Sequence, residues 1–289
     1  MIMTVYPDAI HKSEPIRSAS DDSVLAAARL MRQNHIGAVL VMAGDRLEGI
    51  FTDRDLSHRV VAVALAPAET AIATVMTPDP VTIAADDTVM ATLDLMEGHS
   101  YRHLPVTDEG DLVGVVAARD VVKACRDQLE SVLQDMSVPP APHLRPVGEI
   151  FPDRDLVQAG PGSTVRAAAQ AMAQNDLGAV LVMQADRLLG ILTERDIAVR
   201  VIAEGLDPAT TTLDAVMTAD PVTAPISERQ DGLMSRMVDG GFRHVPLVDG
   251  SRVMGVVSIR DLYGFARGVL DAQFRAAMRE RAQRMTADG

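Results

Sequence analysis

The stretch GAVLVMAGDRLEGIFTDRD at residues 37–55 decides the fold, because it returns as GAVLVMQADRLLGILTERD at residues 178–196. The offset is 141 residues, and neither copy contains an insertion. Three further segments return in the same register: MTPDPVT at 76 and MTADPVT at 217, RHLPV at 102 and RHVPL at 243, and GVVAARD at 114 and GVVSIRD at 255. Self-similarity over a long period sets the architecture of a chain, so we predict two homologous halves.

A weaker repeat lies within each half, since GIFTDRD and GVVAARD are 65 residues apart. Four copies of one unit therefore make up the chain. In the second copy we predict a strand at 81–83, followed by a helix with Val89, Leu93 and Met96 on one face. Asp86, Asp87 or Thr88 is predicted to cap this helix. Strands at 103–106 and 112–116 follow, and a second helix starts at Arg119. The unit is β-α-β-β-α.

The predicted fold class is α+β, with four β-α-β-β-α repeats. We place the repeats at 5–66, 67–128, 146–205 and 206–268, an extended proline-rich linker at 129–145 and a C-terminal helical tail at 269–289. A unit of about 60 residues buries too little of its sheet to be stable alone. We therefore expect the repeats to pair and the two halves to pack about an approximate twofold axis. Methionines at matching helix positions, Met31, Met96, Met172 and Met237, are predicted to lie in the core.

The composition is that of an ordinary folded protein, because 47% of the 289 residues are hydrophobic and 23% are charged. We expect neither a membrane span nor a secretion signal, since no uncharged apolar run approaches the roughly 18 residues that a span needs. The single cysteine, Cys125, cannot form an internal disulfide, which favours a reducing cytoplasm. The formal charge of −13 disfavours nucleic acid polymers as partners, whereas a local pocket for one phosphate ligand remains compatible with it.

The sharpest local motif is apolar-apolar-Thr/Ser-x-Arg-Asp, at the junction of the last strand and the last helix of each repeat. Three copies are complete: Thr52, Arg54 and Asp55; Thr193, Arg195 and Asp196; and Ser258, Arg260 and Asp261. The remaining copy has Ala117 instead of the hydroxyl, followed by Arg119 and Asp120.

The motif has two interpretations. A hydroxyl three residues before an Asp at a helix start is typical of a capping box, but a cap has no use for the arginine found in all four copies. A ligand site explains the arginine, because a helix N-terminus attracts an anion and a guanidinium forks onto phosphate oxygens. The adjacent carboxylate accepts hydrogen bonds from a ribose diol in other nucleotide sites.

Together, the four junctions, the MTxDPVT segments and the RHxPx strands resemble cystathionine beta-synthase (CBS) domains, and four in tandem resemble two Bateman modules. The resemblance covers about residues 5–268. It implies that two repeats pair through their sheets and leave two clefts per module, which often hold adenosine ligands. It also implies that the motif Asp holds the ribose, that the Ser/Thr lies near the phosphate, and that the first strand of the partner repeat flanks the adenine.

Carried over by position, the resemblance assigns four clefts. The two preferred clefts combine Thr52, Arg54 and Asp55 with Val81 and Thr82, and Thr193, Arg195 and Asp196 with Val222 and Thr223. The third combines Ser258, Arg260 and Asp261 with Arg243 and His244, and the fourth combines Arg119 and Asp120 with Arg102 and His103. The fourth departs from the pattern at Ala117. The two Arg-His pairs have a second interpretation, as a solvated or inter-module surface.

No catalytic machinery accompanies these motifs, since His11, His35, His58, His99 and His143 have neither metal-ligand spacing nor a paired nucleophile. We therefore expect a non-catalytic regulatory protein that needs no cofactor or metal and binds AMP, ADP, ATP or a related adenosine ligand. The alternative is a ligand-independent interaction scaffold. Expected partners are the adenine nucleotide, an unidentified client protein, and a second copy if modules pair between chains, but no nucleic acid polymer and no membrane.

Overall fold

A computed structural model describes residues 4–5, 9, 14–134, 145–151, 156–271 and 275. The first half contains β1 (Arg17–Ala19), α1 (Val24–Gln33), β2 (Ala38–Ala43), β3 (Arg46–Thr52), α2 (Asp53–Asp55), β4 (Thr77–Pro78), β5 (Ile83–Ala84), α3 (Val89–His99), β6 (His103–Asp108), β7 (Asp111–Ala117) and α4 (Ala118–Gln134).

The second half repeats this order. It contains α5 (Val147–Ile150), β8 (Gln158–Ala159), α6 (Val165–Asn175), β9 (Ala179–Gln184), β10 (Arg187–Thr193), α7 (Glu194–Asp196), α8 (Leu213–Val216), β11 (Thr218–Ala219), β12 (Ala224–Pro225), α9 (Gln230–Gly240), β13 (His244–Asp249) and β14 (Arg252–Ser258). Shorter turns complete both halves: π-helical turns at Leu56–Val61 and Ile197–Ile202, and 3₁₀ turns at Ile72–Thr74 and Ile259–Leu262.

Each repeat folds around its own small mixed sheet. Four strands form the sheets of the first and third repeats, in the orders β1-β2-β3-β4 and β8-β9-β10-β11, and the last strand of each, β4 or β11, is contributed by the repeat that follows. Three strands form those of the second and fourth repeats, in the orders β5-β6-β7 and β12-β13-β14. In every sheet the first strand is parallel to the second, which requires the crossover helix between them. The β-α-β-β-α unit and the α+β fold class are therefore confirmed.

The second repeat shows why the sequence folds this way locally. Thr88 caps α3, accepting a hydrogen bond from the Ala91 amide at 3.1 Å. Val89, Leu93 and Met96 form the buried face of α3, as predicted. The strand predicted at 81–83 begins later in the structure, because only Ile83 and Ala84 pair with β6.

Two hydrophobic cores hold the halves together. One joins helices of the first and third repeats and contains Met31 and Met172, and the other joins those of the second and fourth repeats and contains Met96 and Met237. All four methionines are fully buried, as predicted. Equivalent contacts occur twice, since α1 packs on the π-helical turn of the third repeat and α6 packs on that of the first. The two halves thus pack against each other within one chain.

Two smaller apolar clusters lie within the halves and show how repeats pair. Leu40 and Ile50 of the first repeat pack with Leu112 and Val115 of the second. Leu181 and Ile191 of the third repeat likewise lie in one cluster with Val253 of the fourth. The sheets of each half therefore face one another, as in the predicted two-module arrangement.

Parts of two predicted segments lie outside the described residues. Helix α4 continues to Gln134, so the segment predicted as an extended linker at 129–145 starts as a helix. Residues 135–144 lie outside the described part of the chain, as do Phe274, Ala277 and Met278 of the predicted tail helix. Over the residues described, none of the helices has the length and apolar character needed to cross a bilayer.

Candidate functional site

The last helix of three repeats starts with a reciprocal capping box made from the motif itself. In the third repeat the Thr193 hydroxyl donates to Asp196 Oδ2 at 2.7 Å, and the Asp196 amide donates to the Thr193 hydroxyl oxygen at 3.2 Å. The same box joins Thr52 to Asp55 and Ser258 to Asp261. The cap is therefore present, but it occupies one carboxylate oxygen of each motif Asp and leaves the other for further contacts.

The second carboxylate oxygen has a different environment in different repeats. Asp55 Oδ1 lies 3.0 Å from Arg59 Nη1, and Asp196 Oδ1 lies 3.3 Å from Arg200 Nη2. No arginine stands four residues after Asp120. Burial raises the pKa of Asp55 and of Asp120 above that of a solvated aspartate. Asp120, which the sequence places in the least complete cleft, thus lacks the arginine that partly balances its counterparts.

Two carboxylates at the junction of the halves come from the motif position that the sequence pattern leaves unspecified. Asp53 and Glu194 follow the Thr of the first and third copies, and each is 1% exposed. Glu194 Oε2 lies 2.5 Å from Arg102 Nη1, and Asp53 is ion-paired with Arg243. Each pair joins one half of the chain to the other. Because a buried charge is tolerated only with a compensating partner, these pairs constrain how the halves pack.

The arginines keep both central carboxylates ionised. Burial by itself raises the pKa of Asp53, but Arg243 and Arg102 outweigh it and lower the pKa below that of a free aspartate. Burial of Glu194 is likewise outweighed by Arg102 and by His58, whose Nε2 lies 3.2 Å from Glu194 Oε1, so its pKa is lowered. Burial disfavours the charge of Arg102, yet the two carboxylates raise its pKa. The centre is a compensated network of ions.

Sequence reasoning missed Asp53 and Glu194, although an alternating pattern marks them. The residue after the motif Thr, Ala or Ser is acidic in the first and third repeats and apolar, as Ala118 and Ile259, in the second and fourth. In the same register Gly37 and Gly178 stand where the second and fourth repeats carry the arginines. The carboxylates of the first and third repeats thus complement the arginines of the second and fourth repeats.

A cavity of about 670 Å³ opens between the halves and receives residues from all four repeats. It brings together one motif of each half, namely Ala117, Arg119 and Asp120 of the first and Thr193, Arg195 and Asp196 of the second. Ile16, Ile36 and Val222 supply apolar wall, and His103, Arg243 and His244 supply polar groups. We name it the Asp120–Asp196 cavity. A compact volume with apolar walls and a few convergent charged groups is typical of a small-molecule site.

A second cavity of about 450 Å³ surrounds the motif of the fourth repeat, and we name it the Asp261 cavity. Its lining includes Ser258, Arg260, Asp261, His244 and Val157. His244 lines both cavities. The two cavities therefore lie next to each other and share the imidazole ring of His244 as part of their walls.

Two arginines lie elsewhere than the sequence assigned them. Arg243, assigned to the cleft of Asp261, lines the Asp120–Asp196 cavity instead. Arg102, assigned to the cleft of Asp120, is 8% exposed and contacts Glu194. The reason is that each buried carboxylate takes its arginine from the other half. Arg102 thus lies at the contact between the halves.

The structure brings the residues assigned to the two preferred clefts together to different extents. Val222 joins Asp196 in the Asp120–Asp196 cavity, whereas Thr223 lines a separate open groove. In the first repeat Arg54 is ion-paired with Asp176 of the other half. Val81 and Thr82 are exposed, and Val81 retains 42% of its accessible surface.

His103 and His244 are neutral at physiological pH. Burial, helped by Arg243, lowers the pKa of His244 to about 4. Burial lowers the pKa of His103 to about 3, although Asp53 opposes the shift. Both rings therefore offer hydrogen-bonding atoms rather than positive charge, which leaves the arginines as the cations of the site.

The remaining histidines are dispersed. His58 contacts Glu194, and His99 stacks on Tyr101 with ring centroids 5.2 Å apart. His11 and His143 lie outside the described residues. In the part of the chain that the structure describes, no group of three or more His, Cys, Asp and Glu side chains is arranged to hold a metal ion.

A model of the CBS domain matches the chain four times, at residues 5–62, 72–127, 147–202 and 213–268. The chain is 28% identical over 263 residues to CBS domain-containing protein CBSCBSPB3 of Arabidopsis thaliana, which covers 78% of this chain and 46% of that protein. It is 29% identical over 291 residues to the meiotically up-regulated gene 70 protein of Schizosaccharomyces pombe, which covers 82% and 40%. The chain thus spans less than half the length of these two curated relatives.

A solved structure resembles nearly the whole chain. Protein MJ1225 of Methanocaldococcus jannaschii, described as a proposed archaeal homologue of γ-AMPK, matches with a TM-score of 0.72 at 16% identity, covering 90% of this chain and 99% of that protein. At this identity the likeness concerns the fold alone.

Proposed function

Because the chain belongs to the CBS-domain family, with four repeats paired into two Bateman modules, we propose that it is a regulatory protein that binds adenosine-containing ligands between its repeats. In this proposal AMP, ADP, ATP or a related ligand enters the clefts and changes how the modules pack. The protein performs no reaction of its own, and its output passes to a client protein in the cytoplasm.

The observation that carries the proposal is the Asp120–Asp196 cavity. Its volume of about 670 Å³ falls within the range of small-molecule sites. It combines an apolar wall at Val222, a carboxylate at Asp196 and guanidinium groups at Arg195 and Arg243. These three kinds of group match the base, the ribose diol and the phosphate of a nucleotide.

Each motif residue has a role in this proposal. The Oδ1 atom of Asp196 lies 3.3 Å from the half-exposed Arg200 and accepts from a ribose hydroxyl in this proposal, while Oδ2 serves the cap. The exposed side chain of Val222 is a surface on which a base packs. Arg195 and Arg243 are the charge-assisted donors for phosphate oxygens.

The chemistry of the described residues also favours binding over catalysis. Burial raises the pKa of the Cys125 thiol to about 12, which makes it a poor nucleophile. His103 and His244 have pKa values of about 3 and 4, far below the range in which a general base works best at neutral pH.

Isothermal titration with adenosine, AMP, ADP and ATP tests the proposal. We expect at least one of these ligands to bind, and Asp196→Ala to weaken its binding by roughly ten- to 150-fold, the range for hydrogen bonds to a charged group. Asp55→Ala should act in the same direction at its own cleft. Asp45→Ala, in the exposed turn between β2 and β3, is the matched control.

Asp196 also caps a helix, so a folding defect must be separated from a binding defect. Asp196→Asn keeps an oxygen that accepts from the Thr193 amide but removes the charge. We expect it to melt close to the parent without ligand and still to bind more weakly. If none of the four ligands binds the parent, the proposal is wrong.

One observation favours the alternative of a ligand-independent scaffold. Three of the four motif copies are complete capping boxes, and Arg102 and Arg243 are matched by buried carboxylates. The motif therefore has a structural role without ligand. The same titration separates the two functions, because the scaffold predicts no binding and unchanged melting with every nucleotide.

A further inference from the structure

An arginine stands four residues after the motif aspartate in two of the four repeats. It is Arg59 in the first repeat and Arg200 in the third, whereas the second and fourth repeats have Ala124 and Phe265 at this position. The first and third repeats are also those whose sheets take a fourth strand from the repeat that follows. The arginine thus belongs to the repeats from which the chain crosses to the partner repeat of the same module.

Arg59 joins the motif aspartate to residues 75–77, which we name the crossing segment. Its Nη1 atom lies 3.0 Å from Asp55 Oδ1. The same atom donates to the carbonyl oxygens of Val75 at 3.0 Å and Met76 at 2.8 Å. It also donates to the Thr77 hydroxyl at 3.2 Å, and that hydroxyl donates to Asp55 Oδ1 at 3.5 Å. One guanidinium therefore holds the motif carboxylate and the crossing segment together.

The contacts of Asp55 match the full accepting capacity of its carboxylate. An ionised carboxylate accepts about four hydrogen bonds. The amide and the hydroxyl of Thr52 donate to Oδ2 at 2.9 and 2.7 Å, and Arg59 and Thr77 occupy Oδ1. The Oδ2 contacts belong to the helix cap. A ribose hydroxyl that binds Asp55 must therefore displace a donor from Oδ1.

The carboxylate of Asp196 is one donor short of this arrangement. Thr193 supplies the same two hydrogen bonds to Oδ2, and Arg200 Nη2 lies 3.3 Å from Oδ1. Thr218, the counterpart of Thr77, lines the Asp120–Asp196 cavity, and within the described part of the chain it forms no hydrogen bond with Asp196. Asp196 therefore keeps one accepting position, and it lies in the wall of a cavity of about 670 Å³.

We propose that Arg59 and Thr77 form a latch on Asp55 and make the cleft of the first repeat a weaker ribose site than that of the third. The proposal rests on the proposed function and adds to it the order in which the two clefts fill and the residues that set this order. A ligand at Asp55 loses roughly the value of one hydrogen bond to the latch. Its affinity is therefore about two- to tenfold lower than at Asp196.

The latch also connects the weaker cleft to the crossing segment. The guanidinium that competes with the ribose for Asp55 is the one that holds the carbonyl groups of Val75 and Met76. A ligand shifts an equilibrium toward the state for which it has the higher affinity, and here that is the state with the latch open. Filling the Asp55 cleft therefore loosens the chain between the first and second repeats.

Titration of the full chain with AMP and with 2′,3′-dideoxy-AMP tests the latch, because only AMP carries the ribose diol. A change in phosphate contacts affects both ligands alike, so the ratio of their affinities reports the ribose contact. We expect the parent to bind AMP in a tighter and a weaker class of site. Asp196→Asn should weaken the tighter class, and Asp55→Asn should weaken the weaker one.

Thr77→Val is the decisive variant, since it removes one donor from Asp55 and keeps the shape of the side chain. We expect AMP to bind the weaker class about two- to tenfold more tightly, and dideoxy-AMP to stay within about twofold of the parent. Arg59→Gln should act in the same direction, and Arg59→Lys, which retains a cationic donor, should recover most of the parent ratio. Arg46→Gln removes an exposed arginine paired with Glu48 in the same repeat and should change neither affinity.

Hydrogen exchange at the amides of the crossing segment tests its release. AMP at a concentration that fills the weaker class should speed this exchange in the parent. In Arg59→Gln the exchange should be faster already without ligand and should change less when AMP is added. Unchanged exchange in the parent would refute the release of the segment. Each variant is melted without ligand to verify folding.

The outcomes separate the two proposals. If Thr77→Val and Arg59→Gln leave the AMP affinity of every site unchanged in folded protein, the latch inference is wrong and the adenosine-binding function stands. The same holds if Asp55→Asn weakens the tighter class instead of the weaker one. If AMP binds no site on the parent, the latch inference is wrong, and the remaining ligands of the first titration decide the proposed function by themselves.

Discussion

The Asp120–Asp196 cavity and the Asp261 cavity are lined by copies of one motif, yet they differ in size and in the number of charged side chains that line them. The first measures about 670 Å³ and the second about 450 Å³. Arg195, which lines the first, donates to the carbonyl oxygen of His35, whereas its equivalent Arg54 in the first half is ion-paired with Asp176. The comparison teaches that residues outside the motif, contributed by the opposite module, decide which polar partners a motif arginine has.

The same comparison applies to stability, because the two central carboxylates are buried to the same degree but have different numbers of partners. Glu194→Gln removes the charge that faces Arg102, His58 and Arg54. We expect it to lower the free energy of unfolding by about 3 to 5 kcal/mol, as when one member of a buried pair is lost.

Asp53→Asn is the matched variant and should cost less, about 1 to 3 kcal/mol. The side chain of its main partner Arg243 is 14% exposed, twice the 7% of the Arg102 side chain, so water recovers more of the stranded charge. Chemical denaturation of both variants measures the difference. Equal losses would show that the two halves share the network symmetrically.

The glycines beside the central histidines give a second contrast between the halves. A Cβ on Gly178 would lie 2.9 Å from His244 Nε2, whereas on Gly37 the nearest atom, Asp53 Oδ2, would be 3.1 Å away. We expect Gly178→Ala to lower the free energy of unfolding by about 1 to 3 kcal/mol, the usual cost of overpacking, and Gly37→Ala to cost less. Thermal melting of the pair checks the order, and the reverse order would contradict the asymmetry of the centre.

The pH dependence of stability follows from the buried rings. Because His103 and His244 have pKa values of about 3 and 4 when folded and 6.5 when unfolded, the unfolded chain binds more protons between these limits. Stability is therefore present above pH 6.5 and falls on acidification, by about 1.4 kcal/mol per pH unit for each ring. The lowered pKa values of Asp53 and Glu194 act in the same direction at lower pH.

Denaturation of the parent at several pH values between 7 and 4 measures this slope. His244→Asn should reduce the slope of stability against pH by about 1.4 kcal/mol per pH unit, the contribution of one imidazole ring. A slope that is unchanged in that variant would mean that other groups carry the acid sensitivity.

The smallest effect is expected from Ala117→Ser, which restores the missing hydroxyl in the motif copy of the second repeat. The Ala117 amide already donates to Asp120 Oδ2 at 2.8 Å, so the new hydroxyl completes a capping box. We expect a gain of about 0.5 to 2 kcal/mol in the free energy of unfolding and an unchanged number of nucleotides bound per chain. An additional bound nucleotide with unchanged melting would show that Ala117 is what disables this cleft.

Most of the fold is predictable from the sequence, because the register of 141 residues and the spacing of 65 define four equal units. The buried face of α3 and its Thr88 cap follow from local pattern alone. What the pattern does not contain is the partner of each polar group. Asp53 and Glu194 occupy an unspecified motif position, and their role appears only when two distant halves bring arginines to them.

The placement of the clefts shows the same limit. The sequence ranks the cleft of Asp120 last because Ala117 breaks the motif, yet Asp120 lines a cavity of about 670 Å³. Long-range packing decides where empty space remains, and local composition does not report it. The pairing of Arg243 with the other module was likewise invisible until the halves were placed together.

The segments that lead into each half have a practical consequence for dissecting the protein. Val5 and Val147 are fully buried, and their amides donate to Asp87 and Glu228 in the second repeat of their own half. In each half, residues about ten positions before the first sheet therefore pack on the second repeat of that half and complete its core. Any fragment intended to represent one half must include this leading segment. A cut at β1 or β8 would remove Val5 or Val147 and leave a cavity in the core of the second repeat of that half.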